Sequence, residues 1–98
     1  VENTMEPITL TIETGPNAGS FYPINDDTKI GRANDNDIVL DVKTVSGYHC
    51  NITIEDGKFI IRDLDSTNGI KVNGRKVKKG IIKPGKIIEL STVKIVVS

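Results

Sequence analysis

Ninety-eight residues suffice for one domain and leave no room for a second. A core of this size needs no disulfide or metal staple, and Cys50, the only cysteine, cannot pair within the chain, which points to a reducing, intracellular compartment. Thirteen Lys/Arg balance thirteen Asp/Glu, no apolar run approaches the ~18 residues of a membrane span, and no secretory leader pattern opens the chain.

The start at Val1 rather than Met suggests a piece of a longer protein. Residues 1–7 are polar and read as a flexible lead-in, so the domain proper is expected over 8–98. Ile8, Leu10 and Ile12 alternate with Thr9, Thr11 and Glu13, the period of a half-buried strand. Turn chemistry at Gly15-Pro16-Asn17-Ala18-Gly19 ends it. Phe21, Tyr22 and Ile24 suggest a second strand, closed by Asn25-Asp26-Asp27. Thr28-Lys29-Ile30 leads into Gly31-Arg32 and a polar loop, and Ile38-Val39-Leu40 reads as a short buried strand.

Cys50, Ile52 and Ile54 again alternate with polar residues before Asp56-Gly57, a tight hairpin signal, and Phe59 to Leu64 is the returning strand. A further hairpin is expected over Lys71 to Val77, where Asn73-Gly74 supplies the positive φ angles of a type I′ turn. Pro84-Gly85 makes one more turn. Ile87 to Leu90 and Val93 to Val97 read as the last strands. No window keeps a 3.6-residue apolar period, so about ten short strands imply an all-β sandwich or barrel.

Charge is unevenly spread along this pattern. Residues 1–70 hold five Lys/Arg against twelve Asp/Glu, whereas residues 71–98 hold eight against the single Glu89. A basic segment of this kind can meet nucleic acid or an acidic partner. An interleaved β fold is expected instead to mix the two halves in space.

Catalysis has little to work with. His49 is the only histidine, no Gly-x-Ser-x-Gly elbow accompanies it, and no spaced ligand set suggests a metal. Asp63 and Asp65 are expected to cap turns or face solvent rather than act as an acid/base pair. Cys50 is expected to be an inert buried thiol, and Tyr48 and Phe59 to be packing residues.

Chemistry of another kind gathers in three loops: Gly31-Arg32 with the polar stretch Ala33 to Asp37, Thr44 to His49, and Asp65 to Gly69. Arginine offers a fork of donors suited to phosphate, and serine offers one more. Backbone N–H groups beside glycines can form an anion nest, and asparagine can donate and accept along an extended peptide.

Taken in order, Gly31-Arg32, Ser46-x-x-His49, Asp63-Leu64-x-Ser66-Thr67-Asn68-Gly69 and Val72-Asn73-Gly74 resemble the forkhead-associated (FHA) domain family. Asn36-Asp37-Ile38-Val39-Leu40 and Pro84-Gly85-x-Ile87-x-x-Leu90 extend the resemblance over almost the whole chain. It implies an FHA-type β-sandwich of about eleven mostly antiparallel strands whose loops at one end bind phosphothreonine. It also implies that Arg32 contacts the phosphate or the peptide backbone close to it, that Ser46 hydrogen-bonds a phosphate oxygen, that Asn68 holds the peptide main chain, and that Thr67 lines the same site. Gly31, His49 and Gly69 would support the loops. Gly47 stands where many members carry a longer polar or basic side chain, which leaves only its N–H for the phosphate. Lys43 and Thr44 are candidates for reading the third residue after the phosphothreonine.

The expected function is therefore phosphothreonine-dependent protein binding by a monomeric module, with no enzyme activity, cofactor, metal, nucleic acid or membrane. The alternative is a phosphate-independent interaction or architectural domain on the same fold, which Gly47 leaves open.

Overall fold

A computed structural model describes residues 7–98, so all but Pro7 of the expected lead-in lies outside the described residues. Eleven strands follow one another: β1 (Ile8–Ile12), β2 (Phe21–Ile24), β3 (Thr28–Gly31), β4 (Ile38–Val39), β5 (Cys50–Glu55), β6 (Lys58–Asp63), β7 (Ile70–Val72), β8 (Arg75–Val77), β9 (Lys79–Ile82), β10 (Ile87–Leu90) and β11 (Val93–Val97). They form one sheet in the order β2-β1-β11-β10-β7-β8 and another in the order β4-β3-β5-β6-β9. All pairings are antiparallel except β3 with β4. Among the described residues no helix is long and apolar enough to cross a membrane.

Alternation decides which face of each strand is buried. Ile8, Leu10 and Ile12 point inward from β1, and Val93, Ile95 and Val97 do so from β11, with Ile12 opposite Ile95. Ile52 and Ile61 face them from the second sheet as a cross-strand pair. Among the described residues the core between the sheets is almost wholly aliphatic, with Phe59 its buried phenyl ring. Truncating a fully buried member such as Leu10 to alanine removes about 2–5 kcal/mol.

Turn chemistry sets the registers. Asp56-Gly57 and Asn73-Gly74 both adopt positive φ at each residue, with φ of 51° and 73° in the first and 51° and 81° in the second. Asn73 does more than turn the chain. Its N–H donates to the Ile87 carbonyl and its Oδ1 accepts the Ile87 N–H, both at 2.8 Å, which ties the β7–β8 hairpin to the start of β10.

The sequence pattern misses β9. Its run Lys79-Gly80-Ile81-Ile82 has a glycine where a strand residue would pack and buries only Ile82. As an edge strand paired to β6 alone, it requires little apolar alternation.

Charge is segregated rather than mixed, contrary to expectation. β8 and β9 form the edges on one flank, so the basic residues of 71–86 gather there. Asp26, Asp27, Asp35 and Asp37 belong to the turns around β3 and β4 on the opposite flank. Connectivity explains this: β7 pairs with β8 and β9 follows directly, so Lys71 on the inner strand β7 and the basic residues of the edge strands β8 and β9 stay close together.

Candidate functional site

Three connections converge at one end of the sandwich: 32–37 between β3 and β4, 40–49 between β4 and β5, and 64–69 between β6 and β7. The second connection is laid directly against the first. The Arg32 and Ala33 N–H groups donate to the Ser46 and Gly47 carbonyls at 3.0 and 3.1 Å. This approach requires Gly31 to lack a side chain. A Cβ there would overlap the Gly47 carbonyl oxygen and come within 2.9 Å of Asn36 Nδ2.

Asn36 closes the same seam. It is buried, and its Nδ2 donates to the Ala33 and Gly47 carbonyls at 2.8 Å each. Tyr48 adds an outer tie, donating its hydroxyl to the Asp35 carboxylate at 2.9 Å. That bond, with the carboxylate's charge and partial desolvation, holds the phenol above its usual pKa. Tyr48 is 52% exposed, so it is a loop clamp and not the packing residue expected.

His49 links the second connection to the third from beneath. It is fully buried; its Nδ1 accepts the Ser46 N–H at 3.1 Å, which places the ring proton on Nε2, and Nε2 donates to the Gly69 carbonyl at 2.7 Å. Its main chain accepts from Leu64 N–H and donates to the Ile30 carbonyl, both at 3.0 Å. A single histidine thereby joins three segments.

The third connection is shaped by Asp63. Its carboxylate, with no exposed side-chain surface, accepts from the Ser66 N–H at 3.2 Å and from the Ser66 hydroxyl, and Lys78 Nζ lies 3.7 Å away. Ser66 Oγ in turn accepts the Gly69 N–H at 2.9 Å. Asp63 caps a turn as expected, but from a buried position. Asp65 and Gly69 sit at φ 59° and 74°, where the loop reverses. Burial, together with the Asp63 charge, pushes the neighbouring Cys50 thiol far above the range in which a thiolate forms.

On this platform Arg32, Ser46, Gly47, Thr67 and Asn68 share one depression with Lys43 and Thr44. Gly31, His49 and Gly69 lie beneath or behind it. Val45 also reaches the depression while being buried.

Each rim residue keeps hydrogen-bonding capacity in reserve. The Arg32 guanidinium donates only to the Lys43 carbonyl, at 3.3 Å, and among the described residues no carboxylate pairs with it. Ser46 Oγ accepts the Thr67 N–H at 3.0 Å and donates to no described residue, so its own proton is available to a ligand. No described residue accepts from the Gly47 N–H. Asn68 donates one amide proton to the Thr44 carbonyl at 2.7 Å, which fixes its orientation and leaves its Oδ1 to accept. The result is a donor-rich, cation-flanked hollow with no carboxylate among its described lining residues, suited to a phosphate or similar oxyanion.

Sequence reasoning overlooked Asn36 and Ser66 as supports. Both lie inside motifs that the sequence displays, but their partners across the loops are not encoded in local spacing.

Fold and hollow together define a non-helical ligand-binding module, a two-sheet sandwich that presents an anion site on the loops at one end. The FHA domain family model matches residues 28–91, and the chain belongs to that family. The glycogen accumulation regulator GarA of Mycolicibacterium smegmatis is 35% identical over 88 residues, covering 89% of this chain and 56% of that protein. The oxoglutarate dehydrogenase inhibitor of Corynebacterium efficiens is 33% identical over 88 residues, 89% of this chain and 62% of its own length. The chain thus spans little more than half the length of these curated relatives. The solved structure of Mycobacterium tuberculosis EmbR in complex with a low-affinity phosphopeptide matches with a TM-score of 0.84 at 30% identity, over 94% of this chain and 24% of that one. Another, solved in work on phosphothreonine-dependent FHA domain interactions, matches at 0.85 and 30% identity, over 94% and 95%.

Proposed function

We propose that this chain is a phosphothreonine-reading module that docks an extended, phosphorylated segment of a partner protein in a regulatory pathway and catalyses no reaction. One observation carries the proposal: a guanidinium, a hydroxyl and a backbone N–H that have donor capacity to spare among the described residues share one hollow, at Arg32, Ser46 and Gly47. A dianionic phosphate accepts from all three in charge-assisted bonds.

The remaining residues fit the same ligand. Asn68, held by Thr44, offers its amide to the peptide main chain beside the phosphothreonine. Thr67 lines the site. Lys43 and Thr44 stand where they can read a residue further along the peptide. Names among the relatives, a regulator and an inhibitor, accord with binding rather than catalysis.

Titration of the 15N-labelled domain with a phosphothreonine peptide, followed by NMR, tests this reading. The amides of Arg32, Gly47 and Asn68 are expected to shift together, and the unphosphorylated peptide to move none of them. Shifts confined to an outer sheet face, equal for both peptides, would instead identify a phosphate-independent interaction domain.

A further inference from the structure

The basic flank is not used by the phosphate site, yet it begins at the rim of that site. Between Lys71 and Lys86 the chain carries seven Lys/Arg and no acid. Lys76 on β8 extends back towards Gly69, so that a Cβ on Gly69 would lie 2.7 Å from its Cε and 3.6 Å from its Nζ. Its ammonium is therefore at the residue next to Asn68. Lys78 is on the same side, its ammonium 3.7 Å from Asp63 and its side chain 79% exposed.

Lys71 stands directly across from Lys76 in the β7–β8 ladder. Like charges facing each other across a ladder are destabilising. Glu89 stands opposite Lys71 on β10, and among the described residues neither Lys71 nor Lys76 makes an ion pair. Protection of an edge strand accounts for lysines on β8 in general. It does not account for an ammonium drawn back over the loop that carries Asn68.

We propose that Lys76 and Lys78, with Lys71 behind them, form a subsite for acidic residues that flank the phosphothreonine. This deepens the phosphothreonine reading and rests on it. The ligand class is an acidic phosphopeptide, whose carboxylates run from Asn68 over Gly69 onto the β7–β8 hairpin. The opposite flank of the sandwich, with Asp35 and Asp37, would repel the same residues.

Calorimetry of the intact domain with paired phosphothreonine peptides tests the subsite. One peptide carries glutamates on both sides of the phosphothreonine and the other carries alanines. The acidic peptide is expected to bind about three- to tenfold more tightly, as two exposed ion pairs allow. That advantage should shrink as salt rises from about 50 mM to about 500 mM. It should also fall in Lys76→Gln and nearly vanish in Lys76→Gln/Lys78→Gln. Lys76→Gln alone leaves the Lys78–Asp63 pair intact, so its effect is separate from any loosening of the third connection. A charge-matched control, Lys58→Gln/Lys83→Gln at the far end of the sandwich, should keep the full preference.

Equal affinity for the two phosphopeptides overturns the subsite while leaving the phosphothreonine reading in place. A preference that survives in the double variant, or is lost in the far-end control, also overturns it. Duplex DNA displacing the acidic peptide at lower concentration would reassign the strip to nucleic acid. If neither peptide binds in a phosphate-dependent way, the underlying reading fails and the subsite fails with it.

Discussion

His49 Nε2 donates to the Gly69 carbonyl at 2.7 Å, across 20 positions of sequence and with the ring fully buried. With Ser46 N–H on the other nitrogen, this ring holds the serine and asparagine loops in one arrangement before any ligand arrives. Preorganisation of this kind lowers the ordering cost of binding.

His49→Ala is therefore expected to act first on stability. It leaves the Gly69 carbonyl and the Ser46 N–H without partners and opens a cavity, for a loss of about 2–4 kcal/mol. Urea unfolding at neutral pH measures this. Peptide affinity should fall as well, although His49 itself does not reach the hollow.

The two loop glycines should respond oppositely to a methyl group. Gly31→Ala forces the Gly47 carbonyl away and is expected to lower both stability and phosphopeptide affinity. Gly47→Ala meets nothing within 4 Å and should leave stability within about 0.5 kcal/mol of the parent. Space beyond Gly47 also admits a longer side chain. Gly47→Arg is expected to tighten phosphopeptide binding several-fold by adding a charge-assisted contact, read by the same titration.

Asn36→Ala is predicted to weaken binding without touching the ligand. It removes the amide that bridges the Ala33 and Gly47 carbonyls, so only the Arg32 and Ala33 N–H bonds hold the second connection to the first. A broadened or shifted Gly47 amide resonance in the free domain, alongside a loss of affinity, is the expected signature. Unchanged resonances with reduced affinity would contradict this positioning role.

Glu55 gives a pH dependence remote from the site. Hydrogen bonds from Arg62 first and Thr53 second lower its pKa from the ordinary 4.5 to about 2. Because the folded value is the lower one, the stabilisation is fully present above pH 4.5 and is lost as pH falls towards 2. Denaturant midpoints of the parent and Glu55→Gln should thus differ at neutral pH and converge under acid. The pair is solvent-exposed, so added salt should narrow the difference too.

Legibility from sequence followed physical locality. Alternation at Ile8–Ile12 and Cys50–Ile54, and the Asp56-Gly57 and Asn73-Gly74 turns, are decided by neighbours in the chain, and the strands lie where those patterns put them. β9 escaped because an edge strand with Gly80 has little to alternate. The loops bearing Arg32, Ser46 and Asn68 were legible only as a combined family resemblance, and the structure gathers those residues in one hollow. Asn36 and Ser66 fall within those loops, but their supporting contacts, like the approach of Lys76 to Gly69, are not legible in the chain. Their contacts cross from one connection to another, and no spacing rule reports such contacts. The expectation for Tyr48 failed for a related reason: its partner Asp35, 13 positions away, draws the phenol outward to a carboxylate.

Fluorescence anisotropy of the domain with matched phosphothreonine, phosphoserine and unphosphorylated peptide libraries tests the central claim most directly. Phosphothreonine peptides should bind, phosphoserine peptides should bind more weakly, and unphosphorylated ones should not bind. Arg32→Ala should reduce affinity at least about tenfold, with a similar loss in Ser46→Ala, at unchanged thermal midpoint for Arg32→Ala. Equal binding of all three libraries, or phosphopeptide affinity indifferent to Arg32, would contradict it.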